Sequence, residues 1–395
     1  MTRVLITGGA GFIGSHVADD LLDHGYAVRV LDCLTPQVHG DAGDGSSPRP
    51  AYLHGDVELL IGDVRDLDAV RHALAGVDLV CHLAAAVGVG QSMYQVAHYA
   101  HTNAVGTAVL LEALTRRPVR RLVVASSMSV YGEGLYARGD GGLVDDAERG
   151  AESLRRGDWE PRDREGRPLR PLPTPESKRP SLQSVYALSK FDQERLCLLI
   201  GRAYGISTVA LRFFNTYGPR QALSNPYTGV LAIFAARLLA GDPPLIYEDG
   251  LQRRDFVSVR DVARACRLAL ESQNLSPEPM DAVFNIGSGE RHTVLDVTQR
   301  LAAALGSPVI PRVEGTYRAG DIRHCYADIT RARERLAYHP EVSLAEGMAE
   351  LVAWLAEHGD REAHGGLENA QAELATRGLV IAARQGKASR PLVTP

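Results

Sequence analysis

The sequence predicts an α/β fold in which a parallel sheet is covered by helices on both faces. Short runs rich in Val, Ile and Leu alternate with segments of helical periodicity along the first third of the chain. These runs are continuously apolar rather than alternating with polar residues, as expected of strands buried on both faces. At 395 residues and 45% hydrophobic content, the chain is long enough to bury such a core.

The predicted elements follow one another in the order that a doubly wound sheet requires. The strand-like runs are RVLITG, AVRVLDCL, VELLIGDV, DLVCHLAA and RLVVASS. The helical segments are FIGSHVADDLLDHG, LDAVRHALAG and TNAVGTAVLLEALTRR. Strands that alternate with helices are typical of a parallel sheet with helices on both sides. No internal repeat is visible in the sequence.

Charge and cysteine usage exclude several classes of partner. A net charge of −5 gives no long-range attraction for nucleic acid or an anionic membrane, so we expect neither partner. The five cysteines have no CxxC spacing and fall mostly in apolar runs, which predicts buried thiols and no zinc or other metal site. The chain opens directly on a strand, and no apolar run is long enough to span a membrane. A reducing cytoplasm is the expected location.

The turn after the first strand has the spacing of a phosphate-binding loop. Gly8, Gly11 and Gly14 form a G-x-x-G-x-x-G pattern between a strand and a helix. Glycine there permits a tight turn and a close approach of the backbone to a pyrophosphate, while the helix N-terminus offers free N–H groups to the anion. The alternative is a glycine turn with a purely structural role.

Asp32 favours one dinucleotide over the other. It ends the second predicted strand, 21 residues after Gly11 (32 − 11). A carboxylate at this place hydrogen-bonds the adenosine ribose diol and repels a 2′-phosphate, which predicts NAD rather than NADP. The alternative is an Asp that only caps a turn or a helix.

Tyr186 and Lys190 form a candidate catalytic pair. They lie four residues apart at the start of an amphipathic helix, so both side chains point the same way. A phenol titrates near 10, and one nearby positive charge lowers that pKa by roughly 1–3 units. Lys190 and an oxidised nicotinamide ring are expected to bring the pKa of Tyr186 close to neutrality, which suits a general base acting on a sugar hydroxyl.

Together these motifs resemble the extended short-chain dehydrogenases/reductases, specifically the nucleotide-sugar epimerases and dehydratases. The resemblance covers residues 1 to 358 and also rests on GDVRD, HLAA, TNAVGT, SSMSVYG, YALSK, RFFNTYGPR, RRDFVSVRDVA and RAGDI. It implies a Rossmann-type NAD-binding domain over 1–218, with an insertion at about 133–182. A smaller α/β substrate domain over 219–358 would return some segments to the Rossmann core. Residues 359–395 are expected to be a flexible tail.

The resemblance also implies which residues bind NAD and which bind the nucleotide-diphosphate sugar. Asp63 and Val64 would contact the adenine, and Lys190 would also hold the nicotinamide ribose. The full set for NAD is Gly8, Gly11, Phe12, Ile13, Gly14, Asp32, Asp63, Val64, Leu83, Ala84, Ala85, Ala86, Asn103, Tyr186 and Lys190. The set for the substrate is Ser127, Ser129, Asn215, Arg254 and Arg318, of which the last three would contact the diphosphate.

The residues around Ser127 imply the reaction. In the family that the chain resembles, the residue in this place hydrogen-bonds the sugar 4-hydroxyl and shares its proton with the tyrosine. The 4,6-dehydratases follow it with an Asp-Glu pair that eliminates water, whereas Met128 and Ser129 stand here. Neither side chain is a carboxylate acid or base. The resemblance therefore implies a 4-epimerase, in which a 4-keto sugar forms, rotates and is reduced on its opposite face.

The insertion narrows the substrate class. Residues 133–182 mix both charge signs with many prolines, and would either shade the sugar pocket or form a solvated excursion. Such an insertion looks most like bacterial dTDP-L-rhamnose 4-epimerases and related deoxysugar epimerases. The alternatives are a 4-epimerase of a UDP-hexose or UDP-glucuronate, a net oxidoreductase such as a 4-ketoreductase or decarboxylase, and a non-catalytic NAD sensor.

Two further expectations concern assembly and mobility. The resemblance implies a homodimer in which the helices near 95–116 and 186–203 pack against their copies. The Gly/Ser/Pro-rich stretch 35–50 is expected to be a mobile loop.

Overall fold

The computed structural model describes residues 1–40, 49–222, 229–272, 282–358 and 372–383. The strands are β1 Arg3–Thr7, β2 Ala27–Asp32, β3 Glu58–Ile61, β4 Leu79–His82, β5 Arg121–Ser127, β6 Leu135–Ala137, β7 Leu143–Val144, β8 Arg170–Leu172, β9 Ser207–Phe213, β10 Asn215–Tyr217, β11 Leu245–Ile246, β12 Arg253–Arg254, β13 Phe256–Ser258, β14 Val283–Ile286, β15 His292–Thr293, β16 Arg312–Val313, β17 Thr316–Arg318, β18 His324–Cys325 and β19 Val380–Ala382. The helices are α1 Phe12–Asp23, α2 Pro36–His39, α3 Leu67–Ala73, α4 Val89–Ser92, α5 Val96–Tyr99, α6 Gly106–Arg116, α7 Ala151–Arg155, α8 Val185–Tyr204, α9 Val230–Ala240, α10 Val259–Glu271, α11 Val294–Ala304, α12 Thr330–Leu336 and α13 Leu344–His358. A π-helical turn, Ala100–Val105, precedes α6, and a 3₁₀ turn, Met128–Tyr131, follows β5.

Seven parallel strands form the central sheet in the order β14-β9-β5-β4-β1-β2-β3. One apolar core lies under α1 and α10, and a second lies on the opposite face under α3, α6 and α8. The predicted doubly wound Rossmann-type fold is therefore confirmed. Because the strand order reverses between β1 and β4, the carboxyl ends of these two strands border the crevice where this class of sheet binds ligands.

A second, smaller unit is built from α9, α11 and α13 around its own apolar core, which includes Leu231, Phe234, Leu301 and Leu351. The chain does not stay in this unit once it has entered it. Strand β14 returns to the central sheet and pairs with β9 along its whole length. The second unit is thereby joined to the central sheet.

The insertion folds into a compact antiparallel sheet in the order β7-β6-β8. Its apolar core is small and consists of Tyr136, Ala147 and Leu169, with Val144 packed against them. Strands of two or three residues carry too little periodicity to be seen in the sequence. Ion pairs of Arg149 with Glu248 and of Glu160 with Arg323 fix the position of the insertion.

The expectation of a frayed tail is wrong for residues 372–383. A helical turn at 372–376 is followed by β19, which pairs antiparallel with β17. Leu374 is buried, and β17 offers the unpaired edge that makes three residues of strand stable. Residues 359–371 and 384–395 lie outside the described part of the chain. So do residues 41–48 of the predicted mobile loop 35–50, whereas Pro36–His39 form α2.

Candidate active site

The three glycines of the first turn are required for different reasons. Gly8 has a φ of +70°, and a Cβ there would lie 2.7 Å from the Ala84 nitrogen. A Cβ on Gly14 would lie 2.4 Å from the Gly8 carbonyl oxygen. At Gly11 the nearest atom would be that same oxygen at 3.4 Å, which is ordinary contact. The polypeptide itself therefore requires Gly8 and Gly14, whereas the space beside Gly11 is left open.

This open space lies at the N-terminus of α1. Gly11 is the N-cap residue and has no side chain to cap the helix, and the first turn carries no acidic residue. The N–H groups of Phe12, Ile13 and Gly14 have no intrahelical acceptor, as in any first helical turn. Uncapped N–H groups beside a cleared space fit the pyrophosphate of NAD. The site thus has the form that the glycine spacing predicts.

Asp32 ends β2 and is fixed beside the glycine turn. Its Oδ2 accepts a hydrogen bond of 3.0 Å from the Ala10 N–H, and its Oδ1 accepts one from Leu34. His39 Nε2 lies 3.8 Å from Oδ1, and burial lowers the pKa of His39 below its usual 6.5. At neutral pH this imidazole is uncharged. Tyr52 donates a hydrogen bond of 2.8 Å to the Ala10 carbonyl. His39 lies within the Gly/Ser/Pro-rich stretch and Tyr52 just after it, and neither was singled out in the sequence.

The loop after β4, with Leu83, Ala84, Ala85 and Ala86, borders the same crevice. Fully buried Asn103 fixes it, because its Oδ1 accepts from the Ala86 N–H at 2.7 Å and its Nδ2 donates to the Ala86 carbonyl at 3.0 Å. The Asn103 Nδ2 also donates to Ser189 Oγ on α8 at 2.9 Å. Asn103 therefore ties the loop to α8; its direct contact with NAD stays a prediction.

The predicted adenine contacts take different environments. Asp63 is half-buried and binds the Arg65 guanidinium at 2.9 Å, and this interaction lowers the pKa of Asp63. Val64 is buried in the core beneath α6, where a Cβ on Gly106 would approach its Cγ1 to 2.6 Å. Both residues lie just after β3, at the carboxyl edge of the sheet. Contact with adenine remains a prediction for each.

Ser127 and Tyr186 meet at the carboxyl end of β5. Ser184 caps α8 by accepting the Ala187 N–H at 3.1 Å, which starts the helix just before Tyr186. The Ser127 hydroxyl lies close enough to the Tyr186 phenol to lower its pKa. Ser127 Oγ also accepts from the Ser129 hydroxyl at 2.9 Å. Ser129 thus positions Ser127, and a proton can pass between a hydroxyl bound here and the phenol.

The polypeptide alone does not give Tyr186 the lowered pKa that the sequence predicts. Burial raises the pKa of Tyr186, and the hydrogen bond from Ser127 offsets this only in part. Lys190 is itself buried, and desolvation lowers its pKa to about 7. An amine that is only partly protonated stabilises a phenolate weakly. A bound oxidised nicotinamide would supply the missing positive charge.

A hydrogen-bond network behind Lys190 was not visible in the sequence. Lys190 Nζ donates to Gln193 Oε1 at 2.6 Å, and Gln193 Nε2 donates to Thr107 at 2.8 Å. His82 bridges Thr107 and Thr7 at 2.8 and 2.7 Å, and burial lowers its pKa to about 3, which keeps it neutral. The one available signal was that Gln193 lies three residues after Lys190, on the same helix face.

A buried ion pair supports the strand end that carries Ser127. The Glu194 carboxylate accepts two bonds from the Arg212 guanidinium, at 2.7 and 2.9 Å, and one from Ser126 at 2.7 Å. Arg212 Nη1 also donates to the Tyr131 hydroxyl at 2.9 Å. Both charged side chains are at most 2% exposed. Because an unpaired buried charge is strongly destabilising, the fold requires that Arg212 and Glu194 stay paired.

The predicted diphosphate ligands lie on β10, β12 and β17. The Arg254 guanidinium donates to the carbonyl oxygens of Ile322 and Arg323, the latter at 2.9 Å. Arg318 Nη2 donates to Asp321 at 3.3 Å. Within the described residues, Arg318 Nε and Asn215 Oδ1 are buried polar atoms without a partner. Buried unpaired groups are rare, and these two fit a polar ligand.

The segment with Arg318 also approaches α8, which carries Tyr186. A Cβ on Gly320, whose φ is +76°, would lie 2.8 Å from the Gln183 carbonyl oxygen, three residues before Tyr186. On its other side, Arg318 Nη1 lies 3.8 Å from the position of a Cβ on Gly90, in α4. The fold therefore places one of the two arginines between the loop after β4 and the start of α8.

Comparison with known proteins adds three kinds of similarity. The profile of the NAD dependent epimerase/dehydratase family matches residues 4–150 and 165–287. A dTDP-L-rhamnose 4-epimerase from Burkholderia thailandensis is 37% identical over 372 residues, covering 91% of this chain and 96% of that protein. The structure of a UDP-glucose 4-epimerase with UDP-glucose from Thermotoga maritima superimposes with a TM-score of 0.71 at 31% identity, covering 90% of this chain and 99% of that one.

A further solved structure is that of a UDP-glucuronic acid 4-epimerase from Bacillus cereus in complex with UDP-glucuronic acid and NAD. It superimposes with a TM-score of 0.70 at 27% identity, and the match covers 90% of this chain and 99% of that chain. The similarity thus spans both the nucleotide-binding sheet and the second unit.

Proposed function

The chain belongs to the NAD dependent epimerase/dehydratase family, and from this premise we propose that it is a nucleotide-sugar 4-epimerase that retains NAD as a catalyst. The observation that carries the proposal is that the Ser127 hydroxyl lies beside the Tyr186 phenol and is followed by Met128 and Ser129 rather than by carboxylates. This site can accept and return the proton of a sugar hydroxyl. It lacks the acid–base pair needed to eliminate water.

Ser127 and Tyr186 carry the proton steps. The sugar 4-hydroxyl donates to Ser127 Oγ or to the phenolate oxygen of Tyr186, which takes up the proton as the C4–H bond breaks. Bound NAD supplies the hydride acceptor and the positive charge of its nicotinamide. When the 4-keto sugar is reduced on its other face, Tyr186 returns the proton to O4. Protons and hydride then balance, and no cofactor is consumed.

The three predicted diphosphate ligands, here called the substrate clamp, have to hold the diphosphate while the sugar rotates. Arg254, Arg318 and Asn215 lie on three different strands, β12, β17 and β10, and would bind the diphosphate together. A planar guanidinium fork suits paired phosphate oxygens. With the diphosphate fixed, the 4-keto sugar rotates about its link to the phosphate and presents its opposite face.

For the substrate we propose a dTDP-deoxyhexose such as dTDP-L-rhamnose. The similarity to the Burkholderia protein and the long insertion support this choice, and neutral Met128 and Ser129 suit a sugar that carries no charge at C6. The alternatives are a 4-epimerase of a UDP-hexose or UDP-glucuronate, and a net oxidoreductase. The likeness to the Bacillus cereus protein keeps UDP-glucuronate among the substrates to test.

The experiment is to incubate the purified protein, without added cofactor, with dTDP-L-rhamnose, UDP-glucose and UDP-glucuronate in parallel. Proton NMR and chromatography follow each sugar, and nicotinamide absorbance is recorded at the same time. We expect a C4 epimer to appear at a steady ratio with no change in absorbance. Turnover only with stoichiometric NAD or NADH would refute the epimerase proposal and establish a net oxidoreductase.

We also propose that the protein is a homodimer formed through α8 and the helical segment 96–116. Apolar side chains on these helices face solvent in the single chain: Val105 is 47%, Leu188 47% and Leu199 57% exposed. Leu188 and Leu199 are three helical turns apart and lie on one face of α8. Light scattering should give a dimer at micromolar concentration, and Leu199→Arg should give a monomer; a monomeric parent protein would refute the proposal.

The reducing cytoplasm remains our proposal for the location of the protein. All five cysteines are free, four of them are buried, and only Cys33 is exposed. Buried Cys81 and Cys266 lie close to each other yet are not joined in a disulfide. Among the described residues, no helix combines the length and apolar character needed to cross a bilayer.

A further inference from the structure

We infer that Arg149 and Glu160, both in the insertion, are positioning residues of the substrate clamp, and that the insertion thereby sets the affinity for the nucleotide sugar. The inference rests on the proposed function, since it takes Arg254 and Arg318 as ligands of the diphosphate.

Residues 318–324, here called the clamp segment, determine where both arginines lie. The segment contains Arg318, and its carbonyl oxygens at Ile322 and Arg323 hold the Arg254 guanidinium. The Asp321 carboxylate contacts both arginines, at 3.3 Å to Arg318 and 3.9 Å to Arg254. A shift of the clamp segment would therefore displace both phosphate ligands together.

Arg149 fixes the middle of the clamp segment. Its Nη2 donates to the Asp321 carbonyl oxygen, its Nη1 to Glu248 at 2.5 Å, and its Nε lies 2.9 Å from Glu133. The side chain is only 5% exposed. Glu133 in turn accepts from the N–H groups of Arg323 and His324, at 2.8 and 3.2 Å. Arg149 thus joins the start of the insertion to the clamp segment and to the loop after β11.

Glu160 fixes the C-terminal end of the clamp segment. Its carboxylate accepts from the Arg323 guanidinium at 2.6 and 2.9 Å and contacts His324 Nε2 at 2.9 Å. Arg323 is 1% exposed and also binds Glu248 and Asp249 at 2.9 and 2.6 Å. Arg149 and Glu160 therefore hold the middle and the C-terminal end of the clamp segment.

The charges of this cluster make its geometry matter for an anionic ligand. Two cations, Arg149 and Arg323, are surrounded by four carboxylates: Glu133, Glu160, Glu248 and Asp249. Loss of an arginine fork would leave a buried carboxylate unpaired near the diphosphate site. Because the insertion core holds only three buried apolar residues, these ion pairs rather than apolar packing set its position.

The test uses full-length protein with Arg149→Lys and Glu160→Gln. The first variant keeps the charge but loses the fork, and the second keeps the shape but loses the charge at a side chain that is 36% exposed. Arg179→Gln is the matched control, because it breaks an exposed ion pair of the same insertion, 2.8 Å from Asp145. Calorimetry gives the Kd of dTDP and of UDP, and kinetics give KM and kcat for the accepted nucleotide sugar.

We expect the nucleotide-diphosphate Kd and the sugar-nucleotide KM to rise on the order of 10-fold in both variants, the loss of one charge-assisted contact. The kcat, the NAD affinity and the properties of the control should stay close to those of the parent protein. Equal diphosphate affinity in folded Glu160→Gln and parent protein would overturn the inference. If the parent protein binds neither diphosphate, the proposed function itself fails, which is a separate outcome.

Discussion

Gly11→Ala should separate cofactor binding from folding. The backbone at Gly11, with φ −73° and ψ 179°, is accessible to alanine, and the new methyl would meet only the Gly8 oxygen at 3.4 Å. The free energy of unfolding of the cofactor-free protein should therefore fall by only about 1 kcal/mol, the usual cost of alanine at an N-cap. The methyl does occupy the space through which the pyrophosphate approaches the helix.

The magnitude follows from the contacts that the methyl blocks. A hydrogen bond from a backbone N–H to a charged group contributes roughly 1.5–3 kcal/mol. Loss of one such bond should raise the Kd for NAD about 10- to 150-fold. Gly14→Ala behaves differently, because its Cβ would lie 2.4 Å from the Gly8 oxygen and 2.5 Å from the Gly9 Cα. Backbone atoms cannot yield cheaply, so this variant should be destabilised by about 3 kcal/mol or more.

The assay measures NAD binding by calorimetry and unfolding by urea on cofactor-free protein. Gly150→Ala is the control, since Gly150 is also an uncapped N-cap residue in open space, at the start of α7. It should lose similar stability and keep its NAD affinity. Parent-like NAD affinity in folded Gly11→Ala would refute the inference that Gly11 leaves space for the cofactor whereas Gly14 is required by the fold.

Three more outcomes are expected. Tyr186→Phe should abolish epimerisation while leaving NAD affinity nearly unchanged, because only the proton acceptor is lost; substantial residual turnover would remove Tyr186 from that role. Burial lowers the pKa of Lys190 from 10.5 to about 7, so between these values the unfolded chain binds more protons than the native one. Lys190 should therefore contribute a rise in the free energy of unfolding of the cofactor-free protein with pH from 7 to 10, and Lys190→Met should lose this contribution; an unchanged slope would contradict the assignment. Glu194→Gln leaves the Arg212 charge unpaired and should cost about 3–5 kcal/mol in urea unfolding. Asp158→Asn, at a solvent-exposed pair, should cost at most about 1 kcal/mol, and equal losses would argue against the buried pair.

The parts of the fold that could be predicted are those with long, regular patterns. Continuous apolar runs gave the strands of the first half, and the glycine spacing located the turn before α1. Ser127, Tyr186 and Lys190 could be singled out as catalytic candidates because Tyr186 and Lys190 share a helix face and Ser127 ends a buried strand. Each of these signals is local, lying within one element or one turn.

The remaining features depend on contacts between distant segments. The network of Lys190, Gln193 and His82 joins β4, α6 and α8, and only the spacing of Lys190 and Gln193 within α8 gives a local sign of it. The pKa of Tyr186 follows from its burial, which only the packed structure shows. Strand β19 has three residues and exists because β17 offers it an edge.

The strand order of the central sheet has a consequence for synthesis of the protein on the ribosome. Strand β9 ends at Phe213, but its outer neighbour β14 begins only at Val283, 70 residues later (283 − 213). At 5–20 residues per second, the edge of β9 stays uncovered for about 4 to 14 s after it has been made. Nascent chains paused in this interval present an apolar strand edge that a chaperone can cover or a second nascent chain can pair with.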